Sequence, residues 1–106
     1  DVRESPAIAV VQNLVAQGAK VSAYDPKAME SAREHLPQVV FADSPYETVK
    51  DSDCLVILTE WREFQLLDFK LVYETMRRPN IVDARNLLTP EQLTRYGFNY
   101  SGMGQT

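Results

Sequence analysis

The sequence predicts an α/β fold, a Rossmann-like three-layer domain with a mostly parallel sheet, and three observations carry that expectation. Strand-like and helix-like segments alternate along the 106 residues without a linker or internal repeat. Four helix starts share one device, a capping oxygen followed by proline: Ser5-Pro6, Asp25-Pro26, Ser44-Pro45 and Thr89-Pro90. The run Cys54 to Leu58, CLVIL, is apolar on both faces, as a strand buried from both sides of a parallel sheet must be.

Taken in order, PAIAVVQNLVAQGAK places Ile8, Val11 and Val15 at helical spacing, and Gly18 falls where a left-handed cap ends a helix. VSAYD reads as a short strand closed by Asp25-Pro26, and PKAMESAREHL as a helix with Met29, Ala32 and Leu36 on one face. VVFA is a second strand. SPYETVKDS is a short helix whose Ser44 and Glu47 stand in capping-box positions. CLVILT is a third strand, expected to be central. EWREFQLL fits no single pattern. DFKLVYETMRR carries Phe69, Val72 and Met76 at helical spacing and ends in two arginines that suit the negative end of the helix dipole, before Pro79 stops it. IVDA is a fourth strand, TPEQLTRYG a helix with Gly97 past its end, and FNYSGM a last strand.

A chain of this length forms one domain, residues 1–106, able to bury a core without staples. Its net charge of −4 and scattered Lys and Arg offer no basic stripe, which argues against nucleic-acid binding. No run approaches the ~20 apolar residues of a membrane span. One cysteine gives no internal disulfide, so a cytoplasmic protein is the default expectation. With one Cys and one His, no metal-ligand spacing exists.

In open α/β sheets, ligands bind beyond the carboxyl ends of the strands. The residues expected there are Arg3 and Ser5, Tyr24 and Asp25, Asp43, Thr59-Glu60-Trp61, and Asp83-Ala84-Arg85-Asn86. Arg3 and Arg85 are the arginines at that edge. Either would suit a diphosphate through its bidentate fork; the plainer reading pairs Arg3 with Glu4 or Asp1, and Arg85 with Asp83. Asp25 is read as a helix cap, since no G-x-G-x-x-G precedes it. Cys54 is read as core, and His35 as a solvated or dipole-paired helix-end residue. Trp61 and Phe64 either pack a loop onto the sheet or wall a nucleotide or sugar. No catalytic set emerges.

DVRESPAI, GAKVSAYDP, DSDCLVILTEWREF, IVDARNLL and YGFNYSGMG, in that order, resemble the C-terminal, UDP-binding domain of the UDP-glucose/GDP-mannose dehydrogenase family, and TEWREF resembles its UDP-glucose branch. The likeness covers essentially the whole chain. It implies that Arg3, in D-x-R-E-S, contacts the NAD cofactor across an interdomain cleft. It implies that Arg85, in the family's D-G-R-N, contacts UDP-glucose. The family's glycine is here Ala84, a substitution that a positive φ at that position would penalise. The resemblance further implies a parent enzyme, a homo-oligomer, that oxidises UDP-glucose to UDP-glucuronate in two NAD-dependent steps through a covalent cysteine intermediate. The cysteine, the glycine loop and the dimerising helix of such enzymes match nothing in this chain, so this fragment is expected to be inactive alone, with the remaining domains of the same enzyme as partners.

The first helix should be fed by a strand, and none precedes Asp1, so the first strand is expected to be missing from this chain. In the usual order it would lie at the middle of the sheet, and its loss would leave two unpaired edges and a poorly stable isolated chain. The alternative function is a non-catalytic, flavodoxin-like regulatory or interaction module such as a receiver domain. That module needs an acidic pair after its first strand and an aspartate ending the central one, whereas CLVILT runs into Thr59-Glu60.

Overall fold

The computed structural model describes residues 6–102, so the expectations for Arg3 and Ser5 lie outside the described residues. The chain divides into two compact units, residues 1–48 and 49–106.

The first unit holds α1 (Pro6–Ala16), β1 (Ser22–Ala23), α2 (Met29–His35), β2 (Val40–Phe41) and the start of α3 (Pro45–Val49). α1 begins at Pro6 and buries Ile8 and Val11. The chain leaves it through Gly18 at φ 97°, as the sequence pattern requires. β1 and β2 pair in parallel, Ser22 opposite Val40 and Ala23 opposite Phe41. Asp25 Oδ1 accepts from the N–H groups of Lys27 and Ala28 at 2.8 and 2.9 Å. Asp25 thus closes a turn over residues 26–28 and does not cap the helix as expected: α2 starts later, at Met29, with Ala28 as its N-cap and no side-chain capping bond. Ala32 and Leu36 are buried, and Arg33 lies 5.5 Å from the Phe41 ring centroid, a cation–π distance. Ser44 Oγ caps α3 by accepting from the Glu47 N–H at 3.2 Å.

The second unit holds β3 (Leu55–Ile57), a 3₁₀ helix over Arg62–Leu66, α4 (Phe69–Thr75), β4 (Asn80–Asp83), α5 (Pro90–Tyr96) and β5 (Asn99–Gly102). All strand pairing is parallel, in the order β3-β4-β5. CLVILT, expected to be central, is not the middle strand of its ladder. Among the described residues the strands form two ladders, β3 is an edge of its own, and β4 is the strand bonded on both sides. CLVILT looks central because its run is wholly apolar, but Leu55 and Val56 are only half-buried and only Ile57 is fully covered.

One face of this ladder carries the core. Ile81 and Asp83 of β4 point into it, with Val72 of α4, Leu93 of α5 and Phe98, all buried. Phe98 meets Phe69 and Tyr73 edge to face, at 6.4 and 5.4 Å between ring centroids. Val82, on the alternate face, is exposed.

Two local readings also change. EWREFQLL becomes the 3₁₀ helix, pinned by buried Phe64, so packing is the established role of that side chain. α4 stops at Thr75 rather than running to the arginines, because the N–H groups of Arg77 and Arg78 donate to the Ser52 carbonyl at 2.8 and 3.2 Å. The Arg77 guanidinium then grips Asp53, with Nε at 2.6 Å from Oδ1 and a second contact through Nη2. Cys54, expected in the core, is exposed, because β3 proper starts one residue later.

Candidate functional site

The site grows from the carboxyl end of β4. Asp83 is the buried charged residue of the core, at 0% exposure. A buried carboxylate must be fully hydrogen-bonded. Asp83 achieves this by reaching forward over its own loop: Oδ1 accepts from the Arg85 N–H at 3.2 Å, Oδ2 from the Leu88 N–H at 2.8 Å and from the Tyr100 hydroxyl at 2.8 Å. Burial and the Asp83 carboxylate, which accepts the phenolic proton, push the Tyr100 pKa up to about 12. The loop from Ala84 to Leu88 is thus folded around one carboxylate and tied to β5.

Two further bonds fix the loop against β3 and the 3₁₀ helix that follows it. The Ala84 N–H donates to the Ile57 carbonyl at 2.9 Å, and Gln65 Nε2 donates to the Leu87 carbonyl at 2.9 Å. The left-handed residue of the loop is Asn86, at φ 51°, and not Ala84. Asparagine tolerates that conformation better than most residues. Alanine at position 84 therefore carries no positive-φ penalty, and the departure from D-G-R-N leaves the loop unstrained at that residue.

On this frame stands Arg85. Its expected partner was Asp83, but only its backbone N–H binds that residue. The guanidinium instead meets Glu60, from the loop after β3: Nε lies 3.1 Å and Nη2 2.5 Å from the same oxygen, Oε1. The two side chains are 47% and 59% exposed, so the pair sits open to solvent at the carboxyl edge of β3 and β4. Glu60 was named in the sequence only as an edge residue. The pattern T-E-W twenty-five positions before Arg85 gives no signal that the two side chains meet.

The other candidates fall elsewhere. Tyr24, Asp25 and Asp43 belong to the first unit. His35 ends α2, where its carbonyl accepts from Gln12 Nε2 at 3.2 Å. The Cys54 thiol is pushed above its ordinary pKa by partial burial, outweighing a backbone hydrogen bond from Val82, so it is a poor nucleophile. A small pocket beside the loop is lined by Gln65, Phe69, Leu87, Leu88, Thr89 and Gln92. Among the described residues no cluster of His, Cys, Asp or Glu has metal-binding geometry, and no helix is long and apolar enough to cross a membrane. As β4 is the central strand of its ladder, an aspartate does end it, as a receiver domain would need. Asp83, however, is wholly buried and bound by its three donors, out of reach of a phosphodonor.

The model of the UDP binding domain of the UDP-glucose/GDP-mannose dehydrogenase family matches residues 1–90. A UDP-glucose 6-dehydrogenase of Rhizobium meliloti is 46% identical over 105 residues, covering 99% of this chain and 24% of that protein. One from Drosophila melanogaster is 37% identical over 120 residues, covering 99% of this chain and 25% of that protein. The chain thus spans about a quarter of the length of these curated relatives. A solved UDP-D-ManNAc dehydrogenase from Pyrococcus horikoshii superposes with a TM-score of 0.57 at 19% identity, over 98% of this chain and 31% of that one, a likeness of fold.

Proposed function

The chain belongs to the UDP-glucose/GDP-mannose dehydrogenase family, and from that membership we propose that it forms the UDP-sugar-binding part of a UDP-glucose 6-dehydrogenase, with Arg85 as the residue that meets the substrate. The observation that carries the reading is the Asp83-centred loop. It sets a half-exposed guanidinium at the carboxyl edge of a parallel sheet, where α/β folds take ligands. Relatives bearing that activity in their names cover nearly all of this chain.

Binding is the part this chain supplies. No residue in it is assigned to catalysis, and turnover belongs to the whole enzyme, in which this part closes over the nicotinamide cofactor. The described residues lack a glycine-rich turn for a dinucleotide pyrophosphate. Arg3 is assigned to NAD from the D-x-R-E-S resemblance alone. A cytoplasmic homo-oligomer, with partners in the enzyme's other domains, accompanies this reading.

The test is a titration of the full chain with UDP-glucose followed by amide NMR, with NAD and a phosphodonor plus Mg²⁺ in separate tubes. Shifts centred on Ala84 to Leu88, lost in Arg85→Ala, are expected. A response to phosphodonor and Mg²⁺ with silence toward UDP-glucose would reject the reading in favour of a regulatory module.

A further inference from the structure

The charge state of the site narrows what Arg85 takes from its ligand. An arginine binds a diphosphate best when its bidentate fork is open and its charge is unspent. Here Glu60 already neutralises it, through a single carboxylate oxygen. Both guanidinium contacts fall on Oε1, leaving Oε2 outside them as an acceptor on a side chain that is 59% exposed. The guanidinium is planar with five N–H donors, and Glu60 engages its Nε–Nη2 edge, so the end formed by Nη1 and the second Nη2 hydrogen lies outside this contact. The pair presents a carboxylate acceptor and a guanidinium donor side by side with no net charge.

That combination matches a vicinal diol. Each hydroxyl is one donor and two acceptor lone pairs, so one can donate to Oε2 while its neighbour accepts from Arg85. A phosphate is acceptor-only at its ionised oxygens and would be repelled by Glu60 while gaining little from an arginine already neutralised. Resting on the reading of Arg85 as a substrate contact, we propose that Glu60 and Arg85 together form a diol clamp, with Glu60 a second substrate-binding residue. The clamp grips a hydroxyl pair of the UDP-sugar, on the ribose or on the hexose, rather than its diphosphate.

The assay is calorimetric and NMR titration of the full chain and of Glu60→Gln, with the Arg85 Nε–H resonance as local reporter. The probes are UDP-glucose, its 2′-deoxyribose and 3-deoxyglucose analogues, and inorganic pyrophosphate. Glu60 is exposed, so the substitution threatens no core. Loss of one charge-assisted hydrogen bond corresponds to roughly ten-fold weaker binding of UDP-glucose by Glu60→Gln, while pyrophosphate binding is unchanged or improved. Ten-fold loss with the 2′-deoxyribose analogue assigns the clamp to the ribose, and with the 3-deoxyglucose analogue, which breaks both vicinal pairs of the hexose, to the hexose. Equal or tighter UDP-glucose binding by Glu60→Gln, or full affinity for both deoxy analogues, overturns the clamp while leaving Arg85 a substrate contact. Absence of any Arg85 response to UDP-glucose in the unaltered chain overturns the substrate assignment and the clamp with it.

Discussion

Replacing Asp83 by alanine should be a severely damaging change in the second unit, and its cost follows from the bonds the carboxylate accepts. The substitution orphans three donors, the N–H groups of Arg85 and Leu88 and the Tyr100 hydroxyl. The Leu88 bond is fully buried and the other two partly so. A buried donor left without a partner costs about 1–3 kcal/mol. Counting Leu88 over the whole range and the other two at the low end, the loss is about 3–5 kcal/mol, set against the 5–15 kcal/mol that holds a typical domain. Urea denaturation followed by far-ultraviolet circular dichroism measures it. Asp83→Asn keeps one acceptor but turns an amide NH₂ toward a donor, so it should fall between alanine and the unaltered chain. A loss below about 1 kcal/mol for Asp83→Ala would refute the reasoning, because it would mean that water replaces the carboxylate without penalty. The same variant should weaken UDP-glucose binding, since the loop that carries Arg85 loses its anchor.

Three other outcomes are expected. Tyr100 titrates near 12 when folded against 10.0 unfolded, so its contribution to stability is whole below pH 10 and is lost as pH rises from there toward 12; absorbance of the phenolate against pH reads this directly. Gly97→Ala should destabilise the chain by about 1–2 kcal/mol in thermal unfolding, because φ is 102° and the new Cβ would lie 3.0 Å from Cε2 of Tyr73; Gly18→Ala, with φ 97° but open space around it, should cost less. The Arg77 side-chain hydrogen bond holds the Asp53 carboxyl below its ordinary value, so its stabilisation is present above pH 3.8 and is lost as pH falls through the lowered value. Carbon-detected NMR of Arg77→Ala should show that carboxyl returning upward.

Much of the element order was legible because the signals are local. Proline at the first helical position, glycine at a left-handed exit and apolar spacing each act within one turn of chain, and Gly18, Ser44, Pro90 and Gly97 fall where those rules put them, although Thr89, the N-cap before Pro90, makes no side-chain capping bond. What local rules cannot supply is pairing between distant segments. CLVILT read as central from its composition, but which strand is flanked on both sides is decided by long-range hydrogen bonds, and those favour β4. The arginines after α4 show the same limit. Their spacing continues the helical pattern, yet the Ser52 carbonyl and Asp53 draw them into a turn. Arg85 was visible as an edge residue, while its partner was misread, since the adjacent Asp83 is the obvious counter-ion in sequence and the buried one in space.

The parallel register on both flanks of β4 has a kinetic consequence. Backbone amides exchange with solvent deuterium when local opening frees them, and the slowest belong to the segment whose release requires the whole unit to open. β4 is bonded to β3 from Leu55–Ile81 to Ile57–Asp83, and to β5 from Asn80–Asn99 to Asp83–Gly102. Each amide bonds to one side only, but freeing the whole strand requires parting both neighbours, whereas an outer strand can peel away alone. Ile81, Val82 and Asp83 should therefore form the slow-exchange nucleus of the second unit, and the anchor of the Arg85 loop lies at the end of that most persistent segment.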